Sequence, residues 1–205
     1  MQGYILNINR VKDEDLIVTI LSSSEVYTTY RFYGARHSHI NVGYKIDFEL
    51  EQGYKTTISR LKDVIQLGFP WILDNKKMYH WQRYIKLFYP HLKDVEEIDS
   101  FYIELLDDLG HKLTLQDPKR AILENYIKLL EYEGRLHLDF ECLLCEQEIL
   151  NDVALVRSFL PTHSTCSYSS GFERQKIEDF FMEKSTINLE EDEVNYLWEV
   201  LLQGI

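Results

Sequence analysis

The feature that most constrains this chain is a change of period. From Gly3 to about Gln66 apolar and polar residues alternate, and from Lys76 onward apolar residues recur every three or four positions. Alternation places successive side chains on opposite faces of a strand, whereas the longer spacing draws a stripe along a helix. The first part therefore reads as five strands, at roughly 3–10, 15–22, 25–33, 43–52 and 56–66. In the fourth, Tyr44, Ile46, Phe48 and Leu50 alternate with Lys45, Asp47, Glu49 and Glu51. In the third, Val26, Thr28, Tyr30 and Phe32 share one face, and Tyr27, Thr29, Arg31 and Tyr33 share the other.

Five short strands with no helix-sized segment among the first four suit a small closed barrel of OB type, and equally an SH3-like one. The period changes near Gly68-Phe69-Pro70. Met78, Trp81, Ile85 and Phe88 make the first helical stripe, and Val95, Ile98, Tyr102, Leu105 and Leu109 make a second that Gly110 is placed to cap. Asp117 and Pro118 open a third helix, with Ile122, Tyr126 and Leu129 on its buried face, and Gly134 ends it. In the last helix Val194, Leu197, Trp198 and Leu201 follow Asn188 and Glu191, which have capping-box spacing. Large apolar residues at helical spacing are core, not a cofactor pocket. The expected fold is α+β: a barrel over 1–72 and a helical body over 73–205 that packs closely on it.

Charge is divided unevenly. Residues 1–75 hold 8 basic and 9 acidic side chains, and the remainder holds 14 and 25, out of a net −12 for the 205-residue chain. An acidic second part suits protein binding better than phosphate binding, so any contact with nucleic acid is expected on the nearly neutral barrel. No stretch approaches the roughly 18 apolar residues of a membrane span, and the opening residues lack a signal-peptide pattern, which sets the expectation of a cytoplasmic chain.

Three cysteines do not make a disulfide framework. Cys142 and Cys145 are followed, after seventeen residues, by His163 and Cys166. Two pairs with two-residue gaps can each bend around one ion, and three thiolates with one imidazole form a closed tetrahedral set of the structural zinc kind. This element occupies about 140–168. Against it stands the reading of Cys142 and Cys145 as small buried residues on a helix end. A thioredoxin-like use of that pair needs a strand-helix-strand context, and the flanks look helical. Phosphate-binding glycine loops, G-x-S-x-G, His-Glu-x-x-His and the zinc deaminase strings do not occur, so no enzyme is expected. The acidic run Asp13-Glu14-Asp15 reads as a solvated turn.

The stretch from Tyr27 to His37 carries tyrosines and arginines into a glycine turn. Tyr27, Arg31 and Tyr33 are placed on its outer face, where rings can stack on bases and guanidinium groups can meet phosphates. Arg36, Arg10, Lys12 and Lys45 extend that surface. The same residues are also ordinary strand composition.

The opening strand, the run Asp13-Glu14-Asp15-Leu16-Ile17-Val18-Thr19 and then Gly34-Ala35-Arg36 resemble the start of the RecO family. The resemblance covers about the first fifty residues. It implies an N-terminal OB-fold, a helical second domain and a late zinc element, in which His163 stands where a fourth cysteine is usual. It further implies a mediator that binds single- and double-stranded DNA, anneals complementary strands, and pairs with RecR to load RecA onto DNA coated by single-strand-binding protein. The acidic C-terminal tail of that protein would meet a basic pocket among the helices, for which Lys76, Lys77, Arg83, Lys86, Lys119 and Arg120 are candidates.

Overall fold

The computed structural model describes residues 1–36, 39–52, 57–93, 95 and 97–205. They form two compact units, Met1–Leu115 and Gln116–Ile205.

In the first unit β1 (Gln2–Arg10), β2 (Leu16–Leu21), β3 (Val26–Arg31), β4 (Lys45–Glu51) and β5 (Ser59–Leu67) close a barrel in the order β1-β2-β3-β5-β4. Neighbours are antiparallel except β3 and β5, which run parallel through Thr29↔Ser59 and Tyr30↔Arg60. This is the OB-type order. The alternation read along the fourth strand holds: Ile46 and Phe48 are buried with Ile5, Val18, Ile20 and Leu61, while Glu49 and Glu51 are exposed. Burying such aliphatic side chains is worth about 1.5–3 kcal/mol each, which is the main force closing the barrel.

The inner and outer faces of β3 are the reverse of the expectation. Tyr27 packs its ring 6.2 Å from Phe48, and Thr29 is fully buried with its hydroxyl donating to the Val18 carbonyl at 2.9 Å. Arg31, on the same face, donates to the Leu61 carbonyl at 2.8 Å. The face carrying Thr28, Tyr30 and Phe32 is the outer one. Tyrosine and threonine stand on both faces of this strand, so alternation defines two faces without saying which is inside.

β1 is buried from Gly3 to Leu6, on both faces, because helix α1 (Asn75–Leu92) covers its outer side. Tyr4 meets Trp81 at 5.7 Å, and the Trp81 indole donates to the Gly43 carbonyl at 2.7 Å. Gly43 has a φ of +87°, and a Cβ there would press on the Trp81 ring, so both backbone and packing favour glycine. α1 opens at Asp74, whose carboxylate accepts from the amides of Lys76 and Lys77. Helix α2 (Phe101–Lys112) begins after Val95 and Ile98 and runs through Gly110, which is no cap. The Phe69 ring lies where a side chain would be, and the Trp71 indole donates to the Gly110 carbonyl at 2.6 Å. The barrel strands end at β5, but these helix contacts carry the first compact unit on to Leu115.

The second unit holds α3 (Pro118–Tyr132), the short α4 (Ser164–Ser167), α5 (Arg174–Glu183) and α6 (Glu191–Leu201). Asp117 caps α3, as read from the sequence, by accepting from the Lys119 amide at 3.0 Å. α6 is capped two residues later than expected: Glu190 takes the cap position, and its amide donates to Glu193 at 2.7 Å. The unit is not purely helical. β6 (Asp152–Val156), β7 (Leu160–His163) and β8 (Phe172–Glu173) form a three-stranded sheet in the order β7-β6-β8. Strands of two to five residues are too short for alternation to register. Phe140, Phe159, Phe180 and Phe181 are buried together with Tyr126 in the core of this unit. Among the described residues no helix is long and apolar enough to cross a membrane.

Candidate functional site

The second unit brings Cys142, Cys145, His163 and Cys166 together, with all four ligand atoms within 4.8 Å of one another. Cys142 and Cys145 do not sit on a helix end. They occupy a tight turn between the bridged residues Glu141 and Glu148, in which the Cys142 amide donates to the Gln147 carbonyl and the Glu146 amide to the Cys142 carbonyl. Glu146 turns the chain with a φ of +57°. His163 ends β7 and Cys166 lies in α4, so the second pair is presented by a strand-to-helix junction.

His163 Nε2 is 3.3 Å from the Glu148 carbonyl, which accepts from it in the Nε2–H tautomer. In that tautomer Nδ1 turns its lone pair toward Cys145 Sγ at 3.4 Å and Cys166 Sγ at 3.9 Å. A ring held by a carbonyl on its far nitrogen is the usual support of a metal-bound imidazole. Burial alone would push the Cys142 thiol up, but backbone amides of His163, Leu144 and Cys145, with the Cys145 side chain, together bring it down to about 6. The His163 amide stands 3.3 Å from that sulfur. Burial and the neighbouring thiols of Cys145 and Cys142 push Cys166 up. Four soft or borderline donors at these separations can hold a metal ion, and a set of four protein ligands leaves no position for a reactive water.

On the barrel, the seven candidate DNA contacts separate. Tyr27 and Arg31 serve the inner face, as above. Lys45 is taken by Asp107 of α2, with its ammonium 2.7 and 2.8 Å from the two carboxylate oxygens. Tyr4 donates to the same carboxylate at 2.5 Å. Arg10, Lys12, Tyr33 and Arg36 are exposed.

The outer wall adds two residues that the sequence reading passed over. Phe32 is half exposed, the Arg60 guanidinium lies 5.1 Å above its ring, and Tyr30 meets its edge at 4.9 Å. Next to them Arg36 lies 5.2 Å over the Tyr33 ring and pairs with Glu14. The signal for Phe32 was present in its alternation with Arg31, while Arg60 is brought there only by the parallel pairing of β5 with β3. The acidic turn is more than a solvated connection, because it anchors the loop that follows β3. Asp15 accepts from the Tyr30 hydroxyl and the Tyr33 amide, and the Glu14 carbonyl accepts from the Ala35 amide at 2.9 Å. A cleft of about 380 Å³ opens beside this loop, lined by Ile8, Arg10, Leu16, Gly34, Ala35, Arg36, Ile40 and Asn41. His37, the last residue of the stretch read as a binding surface, lies outside the described residues.

The six basic residues expected to bind a partner fall in both units. On α1, Lys76 and Lys86 are exposed, Lys77 reaches the Thr114 carbonyl at 3.2 Å, and Arg83 rests on Tyr79 with a 3.0 Å bond to its hydroxyl. In the second unit Lys119 donates to Asn195 at 2.6 Å, and Arg120 donates to the carbonyls of Thr186 and Leu189 at 2.6 and 3.0 Å. Those two fasten the segment that leads into α6.

Fold and site together define an OB-type barrel protein with an appended, mostly helical unit and a thiol-imidazole cluster suited to a metal. Residues 1–72 match the family model described as RecO N terminal, and the match supports a RecO-family protein. A RecO N-terminal domain points to a role in recombination and repair. No curated protein matches the chain.

Proposed function

We propose that this chain is a non-enzymatic, cytoplasmic mediator of homologous recombination whose barrel, residues 1–72, grips single-stranded DNA and binds duplex more weakly. The observation that carries the reading is the outer platform of Phe32, Tyr33, Arg36 and Arg60 on a RecO-type barrel. Exposed rings paired with guanidinium groups offer bases a stacking surface and phosphates a counter-charge without regard to sequence. Arg10 and Lys12 extend it, whereas Tyr27, Arg31 and Lys45 act by holding the barrel together. By the family resemblance, the remaining residues, 73–205, receive partners: RecR, and the acidic tail of single-strand-binding protein on the exposed lysines of α1. Annealing of complementary strands and loading of RecA would follow from holding these together. Zinc in the Cys142, Cys145, His163 and Cys166 cluster would be structural and would fix the turn to β7 and α4.

Fluorescence anisotropy of labelled single strands tests this. Binding that weakens with salt and drops about tenfold or more in Phe32→Ala/Arg60→Ala is expected, since each stacked base is worth about 1–3 kcal/mol. Absence of binding at low salt would sink the DNA role. The competing reading, a zinc-stabilised adaptor whose barrel meets only protein, draws on the net charge of −12 and would then lead.

A further inference from the structure

The adjoining cleft shares Arg36 and Arg10 with the platform and its extension, but it has no aromatic ring in its lining among the described residues. Leu16 and Ile40 are buried at its base, Ile8 is partly buried and Ala35 forms a side, while the surface the cleft exposes is mostly polar. Its rim carries two guanidinium groups. Arg36 is shared with Glu14, while Arg10 has no ion-pair partner among the described residues. Asn41 closes another side. A volume of about 380 Å³ is at the small end of ligand sites, enough for one nucleotide-sized group and too small for a duplex end.

An occupant must therefore join a compact body with polar edges to negative charge. A single nucleotide does so: the polar edge of its base can exchange water for the polar lining, and its phosphates seek the arginines. Resting on the DNA-binding reading above, we propose that this cleft takes up one unstacked nucleobase of the bound strand, with Arg10 and Arg36 on the phosphates beside it. Extruding a base is cheap from a single strand and expensive from a duplex, because a duplex must first be unpaired and unstacked. The cleft would thus supply the preference for single strands that a stacking platform and two or three cations do not by themselves create.

Among the described residues no aromatic ring lines the cleft, which makes the proposal testable by fluorescence. 2-Aminopurine is quenched by stacking on aromatic rings or other bases and bright when unstacked. The full chain is mixed with short oligothymidines that carry 2-aminopurine at each position in turn, and emission and anisotropy are read together. One position should brighten on binding. Ala35→Leu, which fills the cleft without altering charge at an exposed position, should abolish the brightening and weaken single-strand binding about tenfold, while duplex affinity stays the same. Arg10→Ala should weaken binding and lower its salt dependence. Binding with every position quenched, or unaltered in Ala35→Leu, overturns the cleft and leaves the platform standing. No binding by the wild type overturns both. If Ala35→Leu instead abolishes binding of an aspartate-rich peptide containing phenylalanine and spares DNA, the cleft docks protein and the proposal falls.

Discussion

The Tyr30 hydroxyl donates to the Asp15 carboxylate at 2.6 Å, and the other oxygen of the same carboxylate accepts from the Tyr33 amide at 2.7 Å. One acidic residue in the turn between β1 and β2 thereby fixes both the end of β3 and the loop that presents Tyr33 and Arg36. The Tyr30 hydroxyl, then the Tyr33 amide, hold the Asp15 carboxyl below its ordinary range. A lowered pKa contributes stability above the unfolded value of about 3.9, and that contribution is lost as pH falls through the folded value. Asp15→Asn should melt lower than the wild type at neutral pH, and the gap should close on acidification. A gap in Tm that stays constant from about pH 6 to about pH 2 would refute the assignment.

Lys45 and Asp107 form a partly shielded pair, with side chains 17% and 33% exposed. Removing the lysine leaves a half-buried carboxylate that, among the described residues, keeps the Tyr4 hydroxyl against it. Lys45→Met should destabilise the chain by about 2 kcal/mol, and Lys45→Met/Asp107→Leu should recover much of that loss. Urea unfolding of the two variants reads the difference. If Lys45→Met is neutral in stability but reduces DNA affinity, Lys45 belongs to the DNA surface after all.

Burial first, then the Asp107 carboxylate, push the Tyr4 phenol above its ordinary value. A raised pKa means that stability is intact below the unfolded value of about 10 and is lost as pH rises above it, because the unfolded chain ionises more readily. Tyr4→Phe should cost about 1 kcal/mol at neutral pH through the lost hydrogen bond, and should lose less than the wild type on going to about pH 11. Urea midpoints at the two pH values check both parts.

Gly110 lies in the interior of α2, where alanine would ordinarily help by about 0.5–1 kcal/mol. Here the Phe69 ring occupies the space of its side chain. Gly110→Ala should instead destabilise by about 1–3 kcal/mol, with the indole of Trp71 shifting off the Gly110 carbonyl. Thermal unfolding followed by tryptophan fluorescence would show both effects, and a raised Tm would contradict the packing.

Chain purified under reducing conditions should carry one zinc ion, measured by native mass spectrometry. Cys142→Ser should lose it and His163→Cys should keep it, since a thiolate can replace the imidazole in a closed set. Loss of the ion should loosen the turn, β7 and α4 together, visible as faster amide exchange over 141–167, while the first unit is unchanged. A His163→Ala variant that retains the metal at full affinity would remove the histidine from the set.

Much of this architecture is written in local pattern. Strand bounds from β1 to β5 lie within a few residues of those read from alternation, because a half-buried strand must repeat every two residues wherever it pairs. The cap at Asp117 and the spacing of the cluster of Cys142, Cys145, His163 and Cys166 are legible for the same reason: their partners are near in sequence. Tertiary structure alone decided what each charged or aromatic side chain does. β3 offers tyrosine and threonine to both sides, and only closure against β5 turned Thr29 and Arg31 inward and left Phe32 beside Arg60. Lys45 reads as a free surface cation until Asp107, sixty-two positions away, arrives on α2. Period reports the local geometry of a segment, whereas the face that is buried and the charge that is spent depend on distant chain, which no window along the sequence contains.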